Sequence, residues 1–124
     1  MSDGALRRVL IGGGSMAPTL EVGDVALVRE GARARVGDVV VIASRGAPIC
    51  HRVVLLVPWR RGVRLVHLGD APGAAPGVGG EVIGRVVAVE RDGRPVPIAR
   101  RWPRPRELAR AARALLRAAL TRIP

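Results

Sequence analysis

The chain has 124 residues and a formal net charge of +11, from 21 basic against 10 acidic side chains; all 21 are arginine, so any chemistry that needs a lysine is excluded. A single cysteine, Cys50, excludes an intrachain disulfide, and no apolar run approaches the roughly 20 residues that cross a bilayer as a helix. Apolar residues make up 48 %, and Trp59 and Trp102 stand alone beside an absence of Phe and Tyr. The core of one folded domain must therefore come from Val, Leu, Ile and Ala, a composition that favours strands.

Ala5 to Ile11 reads as a first strand, broken by Gly12-Gly13-Gly14 just before Ser15. Pro18 stiffens the loop that follows. Glu21-Val22-Gly23-Asp24 is a turn, and Asp24 to Arg29 a strand. Val36-Gly37-Asp38 turns into Val39-Val40-Val41-Ile42, a continuous apolar run of the buried-strand type. After a loop from Ser44 to Pro48, a long strand runs from Ile49 to Val57 and is expected to end at Pro58. Arg60-Arg61-Gly62 reads as a hairpin tip, and Val63 to Leu68 alternates as a half-buried strand. Gly69 to Gly80, rich in Gly, Ala and Pro, reads as a flexible loop with few side chains to pack. Glu81 to Glu90 is a strand, Asp92-Gly93 a hairpin turn, and Arg94 to Ile98 its brief return.

These short strands predict a mainly β domain over residues 1–99, with a curved or partly barrel-like sheet. Residues 100–124 form a basic, proline-containing link and a C-terminal amphipathic helix from Arg106 to Arg122. Leu108, Ala112, Leu115, Leu116, Ala119 and Ile123 share one helical face, and Arg106, Arg110, Arg113 and Arg117 the other.

Serine is a weak nucleophile until a neighbouring base takes its proton. Ser15 follows three glycines that let a substrate backbone approach closely, and its own N–H can help to hold an oxyanion. With no lysine in the chain, the base must come from elsewhere, and there are two histidines, His51 and His67. An imidazole titrates near ~6.5 and is largely neutral at pH 7, whereas a lysine near ~10.4 must be lowered by ~3 units, roughly 4 kcal/mol of environment that a histidine site does not need. A histidine base gains from a partner that fixes its tautomer.

Gly14-Ser15-Met16-Ala17-Pro18-Thr19-Leu20 resembles the nucleophile loop of the signal-peptidase and repressor-type serine peptidases. The order then runs through Glu21-Val22-Gly23-Asp24, Gly37-Asp38-Val39-Val40, His51-Arg52-Val53, Leu68-Gly69-Asp70 and Ile83-Gly84-Arg85-Val86, similar to the boxes of signal peptidase I and its relatives over roughly residues 10 to 90. Pro48-Ile49-Cys50-His51-Arg52-Val53-Val54 matches the histidine-bearing segment of the endoplasmic-reticulum-type signal peptidases. The resemblance implies a serine endopeptidase acting on a signal or leader-type peptide, with an extended substrate along a strand edge. No Cys/His cluster has zinc spacing, so no metal is expected, and no cofactor is expected either. The resemblance makes Ser15 the nucleophile and His51 its base. Asp70 is its first choice to orient the imidazole; the other reading of Asp70 is a turn residue capping local N–H groups. Gly13, Gly14 and Met16 are the oxyanion and substrate-binding candidates. Gly13 stands where relatives often carry a hydroxyl, which leaves the oxyanion hole to backbone N–H groups. His67 is the competing base, placed by strand alternation so that it can also simply face solvent. Cys50 falls on the opposite side of its strand from His51 and reads as a small buried apolar residue.

The expected partner is a peptide or precursor-protein substrate. The helix offers either a face that packs on the β domain, which its alanines favour, or a peripheral membrane contact between its arginines and anionic headgroups. Arg7 and Arg8 precede an apolar stretch too short and glycine-rich for a secretory signal. The expected location is therefore the cytoplasm or the membrane surface. Two other readings stand beside the peptidase: an inactive peptide-binding module on the same fold, and an arginine-rich nucleic-acid binder. The absence of interleaved aromatic rings weighs against the second.

Overall fold

A computed structural model describes residues 4–43, 47–60 and 62–121. Ser44 to Gly46 of the expected loop, Arg61 of the expected hairpin tip, and Arg122 and Ile123 of the expected helix lie outside the described residues. Among the described residues the valine-rich runs form eight strands: β1 (Leu6–Leu10), β2 (Val25–Glu30), β3 (Val39–Ala43), β4 (Ile49–Trp59), β5 (Gly62–Leu68), β6 (Gly77–Val78), β7 (Glu81–Arg91) and β8 (Arg94–Pro97), followed by the helix α1 (Pro105–Leu120).

All strand pairs are antiparallel, in the order β1-β2-β7-β3-β4-β5-β6, with β8 beside β7. β7 organises the sheet because it is long. It carries β2 along one edge and shares the other between β3, at Glu81 to Arg85, and β8, at Ala88 to Arg91. Asp92 and Gly93 close β7 onto β8 with φ of 53° and 74°, the two left-handed residues that an Asp-Gly hairpin turn needs. The architecture is mainly β with a C-terminal helix, as the sequence implies. The sheet stays open instead of curling toward a barrel: β1 and β6 are its edges, and β6 has only two residues with which to pair.

β4 continues through Pro58 to Trp59, beyond its expected end. Past Val53 the strand has only β5 beside it, so the missing N–H of the exposed Pro58 breaks no ladder bond on the open side. β3 is buried on both faces. Val39 and Val41 join Ile11, Met16 and Leu20 in one core cluster, while Val40 and Ile42 join Val53 and Leu65 in another. A third cluster, of Val54, Val66 and Leu68, receives α1 through Ala111.

The helix sits slightly rotated from its expected face. Burial centres on Ala111, whose short side chain lets the helix approach the sheet, and Arg110 turns inward to donate to the Ala74 carbonyl at 2.7 Å. Leu116 and Leu120 stay exposed. Its start is fixed by Pro105 in the first turn and by Glu107, whose carboxylate accepts the Arg104 N–H at 2.7 Å. The stretch from Gly69 to Gly80, expected to be a loop with little to pack, instead contains β6 and makes close contacts. Its glycines admit neighbours that a side chain would exclude: a Cβ on Gly69 would collide with the Ser15 carbonyl, and one on Gly77 with the His67 ring.

Candidate active site

The Ser15 loop is coiled by two main-chain bonds, Ala17 N–H to Gly14 C=O at 3.2 Å and Leu20 N–H to Met16 C=O at 3.0 Å. This coil drives Met16 and Leu20 into the core and leaves Ser15 exposed. The loop is then tied to the corner after β5. The Ser15 carbonyl accepts the Ala71 N–H at 2.9 Å, the Met16 sulfur accepts the Asp70 N–H at 3.3 Å, and the Thr19 hydroxyl donates to Asp70 Oδ2 at 2.6 Å. Ser-Met-x-Pro-Thr and Leu-Gly-Asp are thus two halves of one joint. The glycine makes room for the serine backbone, and the aspartate anchors the threonine.

Asp70 has further partners. Arg52 meets it through two bonds, Nε to Oδ1 at 2.9 Å and NH2 to Oδ2 at 2.7 Å, with Arg52 4 % and Asp70 8 % exposed. Arg101 reaches Oδ1 at 3.3 Å and also holds Glu107 at the start of α1. Burial pushes the Asp70 carboxyl up, but its bonds from Arg52 and Thr19 and the nearby arginine charges outweigh burial, and its pKa is lowered. Asp70 is therefore an ionised structural hub. It does not bond His51, and the orienting contact expected of it is made by another residue, because both carboxylate oxygens are already engaged. Asp24 and Asp38 fix their turns, as the sequence implies, by accepting the N–H groups of Glu21 and Arg35.

The residue at the His51 ring is His67. Their Nδ1 atoms lie 2.8 Å apart, with ring centroids 5.0 Å apart and planes at 51°. Both histidines are buried, at 8 % and 6 % exposure, so His67 does not face solvent. Burial lowers the His51 pKa, against a smaller upward pull from the Asp70 charge. Burial, helped by His51, pushes His67 down to about 4. A β-bulge brings the two rings together. From Trp59 paired with Gly62, the β4–β5 ladder runs regularly to Leu55 paired with Val66, then slips by one so that Val53 meets His67. Without the slip His67 would face Val54, on the other side of the sheet from His51; with it, both rings share one face.

Beside Ser15 lies a cavity of about 110 Å³, lined by Val9 to Gly13, Ser15, Met16 and Pro48 to Cys50. Cys50, not His51, faces it. Burial raises the Cys50 thiol to about 11, so it is protonated at neutral pH and acts as a wall of the cavity. Gly13 belongs to the lining, and Met16 closes the floor from the core. Gly14 has open space around it and supplies the carbonyl that turns the loop. Among the described residues, neither the Ser15 hydroxyl nor His51 Nε2 has a hydrogen-bond partner, and no hydrogen bond joins Ser15 to His51.

The peptidase S24-like family matches residues 3–67, which hold the Ser15 loop and both histidines. The chain belongs to the peptidase S24-like family. No curated protein and no solved structure matches it. The S24-like match ends before Asp70, so the corner that receives the serine loop is defined by geometry alone. It supports a serine-peptidase type of domain and does not reach the narrower likeness to the endoplasmic-reticulum-type enzymes. Among the described residues, no helix is long and apolar enough to cross a membrane.

Proposed function

We propose that this S24-like chain is a serine endopeptidase that cleaves a signal or leader-type peptide, with Ser15 as nucleophile and His51 as its base. One observation carries the reading. An exposed, unbonded serine hydroxyl sits at the mouth of a small apolar cavity, in a loop pinned to the strand pair that bears a buried, neutral imidazole. The histidine in place of lysine is the feature shared with the endoplasmic-reticulum-type signal peptidases, and in a chain without lysine the base falls to one of its two histidines.

Ser15 Oγ attacks the scissile carbonyl carbon while its proton passes to the ring nitrogen of His51. The carbonyl oxygen becomes an oxyanion held by backbone N–H groups of the glycine-rich loop. The C–N bond then breaks, and His51 returns the proton to the leaving amine. Water, deprotonated by the same imidazole, hydrolyses the acyl-serine. Cys50, not His51, faces the Ser15 cavity in this structure, so the reading requires the Ser15 loop to bring its hydroxyl round the strand to the imidazole when substrate binds. A cavity of about 110 Å³ bounded by Ile11, Met16, Ile49 and Cys50 suits a small aliphatic side chain beside the cut. Among the described residues no strand pairs the outer edge of β1, which carries Val9 and Leu10 along the cavity and offers its backbone to an extended peptide.

The test is labelling by a fluorophosphonate, in which Ser15 Oγ displaces fluoride from phosphorus. Native protein should be labelled at Ser15, and Ser15→Ala and His51→Ala should not. Equal labelling of all three would remove the enzymatic reading and favour a peptide-binding module on the same fold.

A further inference from the structure

We propose that His67 is the positioning residue of the Ser15–His51 pair: its Nδ1 accepts a hydrogen bond from His51 Nδ1–H and so holds the His51 ring in the tautomer whose Nε2 lone pair is free for the Ser15 proton. This rests on the peptidase reading of Ser15 and His51 and adds to it the third group of the site. Across 2.8 Å, two imidazole nitrogens can share only one hydrogen, so one ring donates and the other accepts. If His67 donated, His51 Nε2 would carry the remaining hydrogen and could take no proton from Ser15. If His51 donates, its Nε2 is bare; neither ring's Nε2 has a further partner among the described residues, so the choice between the two arrangements falls to the surroundings.

The surroundings favour the second arrangement. Asp70 draws positive charge toward His51, while His67, pushed down to about 4, is the poorer base of the two. A proton taken from Ser15 therefore stays on His51, and His67 remains a neutral acceptor. The acceptor is also held in place. His67 pairs with Gly77 across the β5–β6 ladder, and only a glycine there leaves space for the ring. The bulge that turns His67 toward His51 and the glycine that seats it are two separate features serving one contact.

Nitrogen NMR of histidine-labelled protein reads the tautomers directly, and fluorophosphonate labelling reads the consequence. In the native protein His51 should be protonated on Nδ1 and His67 on Nε2. His67→Leu, checked for an unchanged fold by melting, should shift His51 toward the Nε2–H form and slow labelling by roughly 100-fold. His67→Gln, whose carbonyl can accept the same bond, should restore labelling to within roughly 10-fold of native. Gly77→Ala, which pushes on the ring without altering either histidine, should give an intermediate loss. A native His51 protonated on Nε2, or equal labelling of His67→Leu and native protein, would overturn the proposal. A native protein that carries the expected tautomers but is not labelled would refute the peptidase reading while supporting the role of His67 in setting the His51 ring.

Discussion

Replacing Asp70 by alanine separates a structural carboxylate from a catalytic one. The substitution strips Arg52 of its Nε and NH2 partners at 4 % exposure and leaves its NH1 bonds to the carbonyls of Gly37 and Ala99. Removing one member of a buried ion pair costs about 3–5 kcal/mol, because the other charge remains in the interior. The lost Thr19 and Arg101 contacts act in the same direction. For a chain of this length each kcal/mol moves the melting temperature by roughly 3–5 °C, so Asp70→Ala should melt about 10–20 °C below native. Removing both charges is different. Arg52→Met with Asp70→Leu leaves no uncompensated ion and should recover most of the loss, since apolar replacements of buried pairs are often neutral. Thermal unfolding followed by circular dichroism at pH 7.5 measures all three. If Asp70→Ala melts within about 2 °C of native yet loses all fluorophosphonate labelling, the hub argument is wrong and Asp70 acts on the imidazole.

Two further outcomes follow from the same geometry. The His67 pKa falls from an ordinary 6.5 to about 4, so the unfolded chain binds a proton that the folded chain refuses. The stability this confers is full above pH 6.5 and declines as pH falls toward 4. His67 alone should make the protein roughly 2–3 kcal/mol less stable to urea at pH 4.5 than at pH 7.5, and His67→Leu should shrink the pH difference by about that amount, leaving the same-sign contribution of His51; an unchanged pH difference in the variant would assign the effect to other groups. On α1, Leu116 and Leu120 are 60 % and 57 % exposed, with Arg113 and Arg117 also on the solvent side. The helix should hold the protein on vesicles containing phosphatidylserine and release it in high salt. Leu116→Ser with Leu120→Ser should abolish sedimentation with such vesicles, and equal sedimentation of variant and native protein would rule out this surface.

Strand positions were legible because apolar runs and turn residues mark them locally. Val39 to Ile42 reads as doubly buried and is so, and Asp92-Gly93 announces its hairpin. The serine loop was legible because its motif is contiguous. The partner of His51 was not. Counting back from the hairpin tip puts His67 on the wrong face, and only the one-residue slip near Val54, which no local motif marks, brings the rings together. The role of Asp70 stays open in the sequence between orienting the imidazole and capping a turn, for a related reason. Its place in a Leu-Gly-Asp box says nothing of how many arginines claim its oxygens, and Arg101 arrives from a link 31 residues away. The Gly69 to Gly80 stretch looked empty because sequence reading counts side chains. Here the missing side chains are what admit the Ser15 backbone and the His67 ring.

β4 shows how one strand serves two tasks. Alternation sends Cys50, Arg52 and Val54 to one face, where they form the cavity wall, the ion pair with Asp70 and the seat of α1. It sends His51 and Val53 to the other, with the imidazole next to a buried neutral acceptor and Val53 in the core. The charged scaffold and the neutral base are therefore kept on opposite faces of the sheet, within one residue of each other. That separation suits a chain whose only cations are arginines. A guanidinium stays charged under these conditions and stabilises Asp70 permanently, whereas the imidazole must remain neutral until it takes a proton. Had the two shared a face, Arg52 would lie against His51 and oppose the imidazolium on which base catalysis depends.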